Sequence, residues 1–94
     1  MADFAIRVEL RGNPSAETYA ALHALMAKKG FKQTIAGVDP KGNARTFNLP
    51  HAVYYGSSAD SCSVVADSVA KDVRAQIQND IIVFAVQSVD WALR

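Results

Sequence analysis

Two histidines, one cysteine and two arginines on one short segment are the residues of this 94-residue chain best suited to chemistry. His23 lies in a stretch rich in alanine and leucine, one step from Leu22. Its imidazole titrates near neutrality, so it could act as a general acid or base, or contact a phosphate. The competing reading is a partly exposed histidine on a helix surface, which the residues alone favour because no acid is assigned beside it. His51 follows Pro50, and Tyr54 and Tyr55 come soon after. Such a group could hold a ribose or a base by stacking and hydrogen bonding. Equally, tyrosine is a common strand residue and the pair could serve sheet packing. Arg7 and Arg11 flank Glu9 at alternate positions. Guanidinium groups suit phosphate, but the same row could neutralise itself or form part of a dimer contact. Cys62 falls near a helix start, where a thiol pKa can drop, yet a small apolar filler is the simpler role.

Other chemistries find little footing. The nine acids are scattered, and neither a zinc spacing nor a calcium loop is present, so no metal site is expected. Gly37 to Gly42 lacks the Gly-Lys-Ser/Thr ending of a phosphate loop, and no G-x-S-x-G elbow occurs. No small-molecule cofactor is expected. A single cysteine allows no intrachain disulfide and suits a reducing, cytoplasmic setting. Neither a signal peptide nor a membrane-spanning run is expected. The net charge is +1, with seven Lys/Arg against four Asp/Glu in residues 1–50 and three against five in the remainder. That polarity is too weak to name a partner.

The elements that must position these residues follow from periodicity. Phe4, Ile6, Val8 and Leu10 alternate with polar positions, which predicts a half-buried strand over residues 3–11. Asn13 as N-cap and Pro14 at the first helical position predict a helix over 14–29, with Tyr19, Leu22, Leu25 and Met26 inward and Gly30 past its end. Residues 31–36 read as a second strand, 45–49 as an arm folding back on it, and 51–56 as a further strand. A helix is predicted over 60–78 from the ridge Val65, Val69, Val73 and Ile77, with Ser58 or Asp60 capping its start and Asn79 in the left-handed region at its end. The last strand covers 80–89. The order implies one α+β domain over 1–94, a ferredoxin-like β-α-β-β-α-β sandwich with an antiparallel sheet and two helices on one face.

The last strand adds one expectation. Ile82, Phe84 and Val86 share one face, while Ile81, Val83, Ala85 and Val89 share the other. A strand apolar on both faces is normally covered on both, and two helices cover only one. A second copy of the chain is the expected cover, giving a homodimer.

Three segments, Phe4 to Leu10, Leu22 to Met26 with Gly30-Phe31, and Leu49 to Tyr54, resemble the GhoS family of endoribonuclease antitoxins from type V toxin–antitoxin systems. The resemblance implies a fold similar to the small CRISPR-associated nuclease subunits. It also implies cleavage of the messenger RNA of a membrane-active toxin, with single-stranded RNA as partner. Where that family carries a basic arginine before a Leu-Met pair, this chain has His23, which makes His23 a leading site candidate. Where the family carries an acid at the end of the first strand, this chain reads Leu10-Arg11-Gly12-Asn13. Either cleavage is metal-independent, with His23 and Arg11 catalytic and Arg7, His51 and Tyr54 contacting RNA, or cleavage has been lost. The alternative is a non-catalytic dimeric module that binds nucleic acid or protein, or a purely structural one.

Overall fold

The computed structural model describes residues 1–93. The alternation at the N-terminus builds β1 (Ala2–Leu10), whose Phe4, Ile6, Val8 and Leu10 are all buried. Gly12 then adopts a positive φ of 81°, and Asn13 and Pro14 complete the passage off the sheet. The first helix, α1 (Ala16–Lys28), therefore starts two residues later than Asn13 and Pro14 suggest. Ser15 is its N-cap, accepting from the Thr18 N–H at 3.2 Å. Such a cap stabilises a helix by about 1 kcal/mol. At the other end Gly30 takes a φ of 91°; its N–H reaches the Ala27 carbonyl at 3.0 Å and the Phe31 N–H reaches Met26 at 2.9 Å. These two bonds and the buried Met26 and Phe31 form a Schellman ending.

The middle of the chain departs from a single four-stranded sheet. β2 (Thr34–Val38) and β3 (Ala44–Asn48) pair only with each other, as a two-stranded antiparallel hairpin. The returning arm over 45–49 is thus present, but as a strand of a separate sheet. β4 (Val53–Ser58) and β5 (Ile81–Ser88) flank β1 in an antiparallel sheet of order β4-β1-β5. Among the described residues one isolated backbone bridge joins the approach to this hairpin to β4: Lys32 and Tyr55 exchange hydrogen bonds of 2.9 and 2.8 Å. Gly56 makes this crossing possible, since a Cβ there would lie 2.3 Å from the Gly30 carbonyl oxygen. Past Gln33 the chain leaves the edge of β4 and forms its own ribbon.

The second helix, α2 (Cys62–Gln76), follows β4 and is capped by Ser61, whose side chain accepts from Val64 N–H, rather than by Ser58 or Asp60. Val65, Val69 and Val73 are buried and Ile77 packs at the core margin. Asn79 does not take the left-handed conformation; Ala52 is the one non-glycine residue with positive φ among the described residues. The Gln78 side-chain amide closes the exit instead, donating to the carbonyls of Arg11 (2.8 Å) and Asp80 (3.0 Å). Leu22, Leu25 and Met26 of α1 and the α2 valines share one core with the even-numbered residues of β1. No helix among the described residues is long and apolar enough to cross a membrane.

β5 is an edge strand of the three-stranded sheet. Ile81 is buried, while Ile82, Phe84 and Val86 are 48%, 63% and 39% exposed. Val89 lies past the strand and is open to solvent, so it belongs to neither face. Trp91 turns back onto the hairpin: its ring lies 5.9 Å from that of Phe47, and a Cβ on Gly37 would meet it at 2.8 Å.

Candidate functional site

His23 and Tyr19 stand four residues apart on α1, which sets their side chains one above the other. Tyr54 enters from β4. It is the register partner of Ile6, a buried residue of β1, and its own ring is fully buried. From there its hydroxyl meets His23 Nδ1 at 2.7 Å, with ring centroids 5.8 Å apart. The bond serves either tautomer of His23, because a phenol can donate to Nδ1 or accept from it.

His51 arrives from a tight turn before β4. The Val53 N–H bonds the Pro50 carbonyl at 3.1 Å, and Ala52, the third residue of the turn, has a φ of 61°. That position suits glycine or asparagine, and an alanine there is strained by roughly 1–2 kcal/mol. The turn is held because the Val8 N–H of β1 donates to the Ala52 carbonyl at 3.1 Å. The result is an exposed His51 whose ring meets Tyr19 edge-on at 4.4 Å and lies 5.9 Å from that of His23, at 90° to it.

The electrostatics separate the members of this group. Partial burial lowers the His23 pKa, and the neighbouring His51 lowers it further. At neutral pH His23 is thus an uncharged base held by one nitrogen. Burial, and secondarily Tyr19, pushes the Tyr54 phenol well above its ordinary range, so its hydroxyl stays protonated. A neutral imidazole anchored by a buried phenol beside a second, solvent-open imidazole has the components of a proton-transfer site.

Not every candidate joins it. Tyr54 is closed to a stacking base, so its part is to hold His23 rather than to touch RNA. Arg7 lies on the opposite face of the sheet, between Val53 and Phe84. Arg11 is exposed just beyond β1, its N–H bonded to the Asp80 carbonyl at 3.1 Å. The sequence pattern places Tyr19 only in an apolar stripe; its spacing of four residues from His23 is the signal that joins it to the site. The Cys62 thiol is half-buried and donates to the Ala85 carbonyl at 3.4 Å, a packing role. Among the described residues no three His, Cys, Asp or Glu side chains converge. No family model and no curated protein matches the sequence.

Proposed function

We propose that this chain is a metal-independent endoribonuclease of the antitoxin kind on a ferredoxin-like sheet, acting on the messenger RNA of a toxin. The observation that carries the reading is the pairing of His23, kept neutral and anchored through Nδ1, with His51 on the same surface. RNA supplies its own nucleophile. The 2′-hydroxyl attacks the adjacent phosphorus, forming a 2′,3′-cyclic phosphate and breaking the bond to the 5′-oxygen. His23 takes the hydroxyl proton, and His51 gives a proton to the departing oxygen. Each such transfer contributes on the order of 10²- to 10⁴-fold. Tyr19 and His51 offer the ring surface on which a nucleotide could rest, while Arg11, expected at the phosphate, lies beyond the end of β1 and outside this group. Arg7 faces away from this site and has no part in the cleavage step.

The ferredoxin-like element of the proposal draws on the order β5-β1-β4 and on the Lys32–Tyr55 crossing, which sets the start of a fourth strand beside β4. A second reading is a non-catalytic module that binds nucleic acid or protein; the near-neutral charge favours instead a purely structural dimer, which would neither cut nor bind RNA. Incubation of purified protein with single-stranded RNA separates these readings. Products ending in 2′,3′-cyclic phosphate support cleavage. Binding that weakens with added salt, without new RNA ends, selects the module. A reading frame for a short hydrophobic membrane protein beside this gene would support the antitoxin assignment.

A further inference from the structure

The free edge of β5 carries an inference independent of what the chain does to RNA. Sheet edges invite pairing, and proteins usually blunt them with lysine, proline, bulges or a covering segment. β5 has none of the first three. Residues 81–89 contain no charge and no proline, and the register with β1 runs without interruption from Asp3↔Ser88 to Leu10↔Ile81. Its outer edge pairs with no strand among the described residues, the Ala85 carbonyl there taking only the long 3.4 Å bond from the Cys62 thiol, and Ile82, Phe84 and Val86 stand exposed beside it. The other exposed strands differ: β3 carries Arg45, and the edge of β4 is met by Lys32.

We propose that β5 pairs antiparallel with β5 of a second copy, about a two-fold axis at Phe84, joining two three-stranded sheets into one of six strands. The occupant follows from the sequence of the strand, which is matched to itself about that point. Phe84 meets Phe84 of the partner subunit, Ile82 meets Val86 and Val83 meets Ala85, all apolar cross-strand pairs. Asp80 then falls opposite Ser88. Centring the pair one residue later would set Asp80 against Asp90, a like-charge opposition that destabilises. Centring it one residue earlier sets Asp80 against Val86. The apolar pattern and the two acids therefore select a single register.

Sedimentation velocity across a concentration series up to about 100 µM reads the association directly. The parent is expected to dimerise, and Phe84→Lys, which sets two cations on the axis, to weaken the dimer by at least about tenfold. Circular dichroism checks that the variant is folded. The register is read in a Cys62→Ser background. Phe84→Cys should crosslink under mild oxidant, since opposed strand residues lie within disulfide reach at about 4.5–5.5 Å. Ile82→Cys, comparably exposed but four residues from its own copy along the strand, should not. A parent that stays monomeric at the highest concentration overturns the proposal and leaves the edge to a strand of another protein. A dimer indifferent to Phe84→Lys, or crosslinking equally through Ile82→Cys, overturns it as well.

Discussion

Replacing Tyr54 by phenylalanine removes one hydroxyl and nothing else from the centre of the candidate site. The Tyr54 ring is fully buried and packs in the core with Phe4, Ile6, Leu22 and Met26, contacts that a phenyl ring preserves. What is lost is the 2.7 Å bond to His23 Nδ1. A typical intramolecular hydrogen bond contributes about 0.5–1.5 kcal/mol net. His23 is only half-buried, so water can reach the abandoned nitrogen and the penalty stays near the middle of that range. For a domain of this size about 1 kcal/mol corresponds to a fall in Tm of about 4–8 °C. Urea titration should show a lower midpoint with an unchanged slope, because the surface exposed on unfolding is the same. The His23 Nδ1 resonance should move in the same variant, and RNA turnover should fall while RNA binding stands. Tyr54→Ala would be a poorer probe, since truncating a buried aromatic costs about 3–5 kcal/mol and endangers the fold itself. Equal midpoints for Tyr54→Phe and the parent, with an unmoved His23 signal, would refute the claim that this bond holds the imidazole.

The remaining predictions concern charge and close packing. His51→Gln removes the neighbouring imidazole that helps depress His23, so the His23 titration should move up toward 6.5 but stay below it, because burial, the larger cause, remains. A His23 pKa below its unfolded value means the unfolded chain binds more protons between the two values. Stability should thus be complete above about 6.5 and decline as pH falls through 6.5 toward the folded value; chemical denaturation should find this decline shallower in His23→Gln. Gly56→Ala should destabilise by about 1–3 kcal/mol, because the added Cβ would sit 2.3 Å from backbone oxygen and 2.7 Å from Phe31 Cδ1. Amide exchange at Lys32 and Tyr55 should accelerate in that variant, marking loss of the crossing between the two sheets.

Strong local periodicity was legible in the sequence, and spatial approach was not. All four inward residues of β1 and Val65, Val69 and Val73 of α2 fall where their spacing puts them. The helix starts slipped because Asn13, Ser15, Ser58, Asp60 and Ser61 can all cap. Which one does so depends on how many residues the chain needs to clear the sheet, a distance no local pattern encodes. The crossing that joins the chain before β2 to β4 rests on the meeting of Gly56 with Gly30, 26 positions apart in sequence. Tyr54 and Tyr55 are chemically alike. Only their opposite parity on β4, fixed by the register with Ile6 and Ala5, sends one to the core beside His23 and the other to the helix-free face. His23, His51 and Tyr54 were each visible as residues, but their convergence needed the turn strained at Ala52.

The central claim is that His23 and His51 act together on RNA through proton transfer. It is tested most directly by cleavage of single-stranded RNA in excess chelator, comparing the parent with His23→Ala, His51→Ala and the double variant. The account predicts cyclic-phosphate products from the parent, and a loss of about 10²-fold or more from each single variant. The double variant should lose little beyond the worse single, since the two groups serve one step. Undiminished cleavage by either single variant, or cleavage by the parent that disappears with chelator, would contradict it.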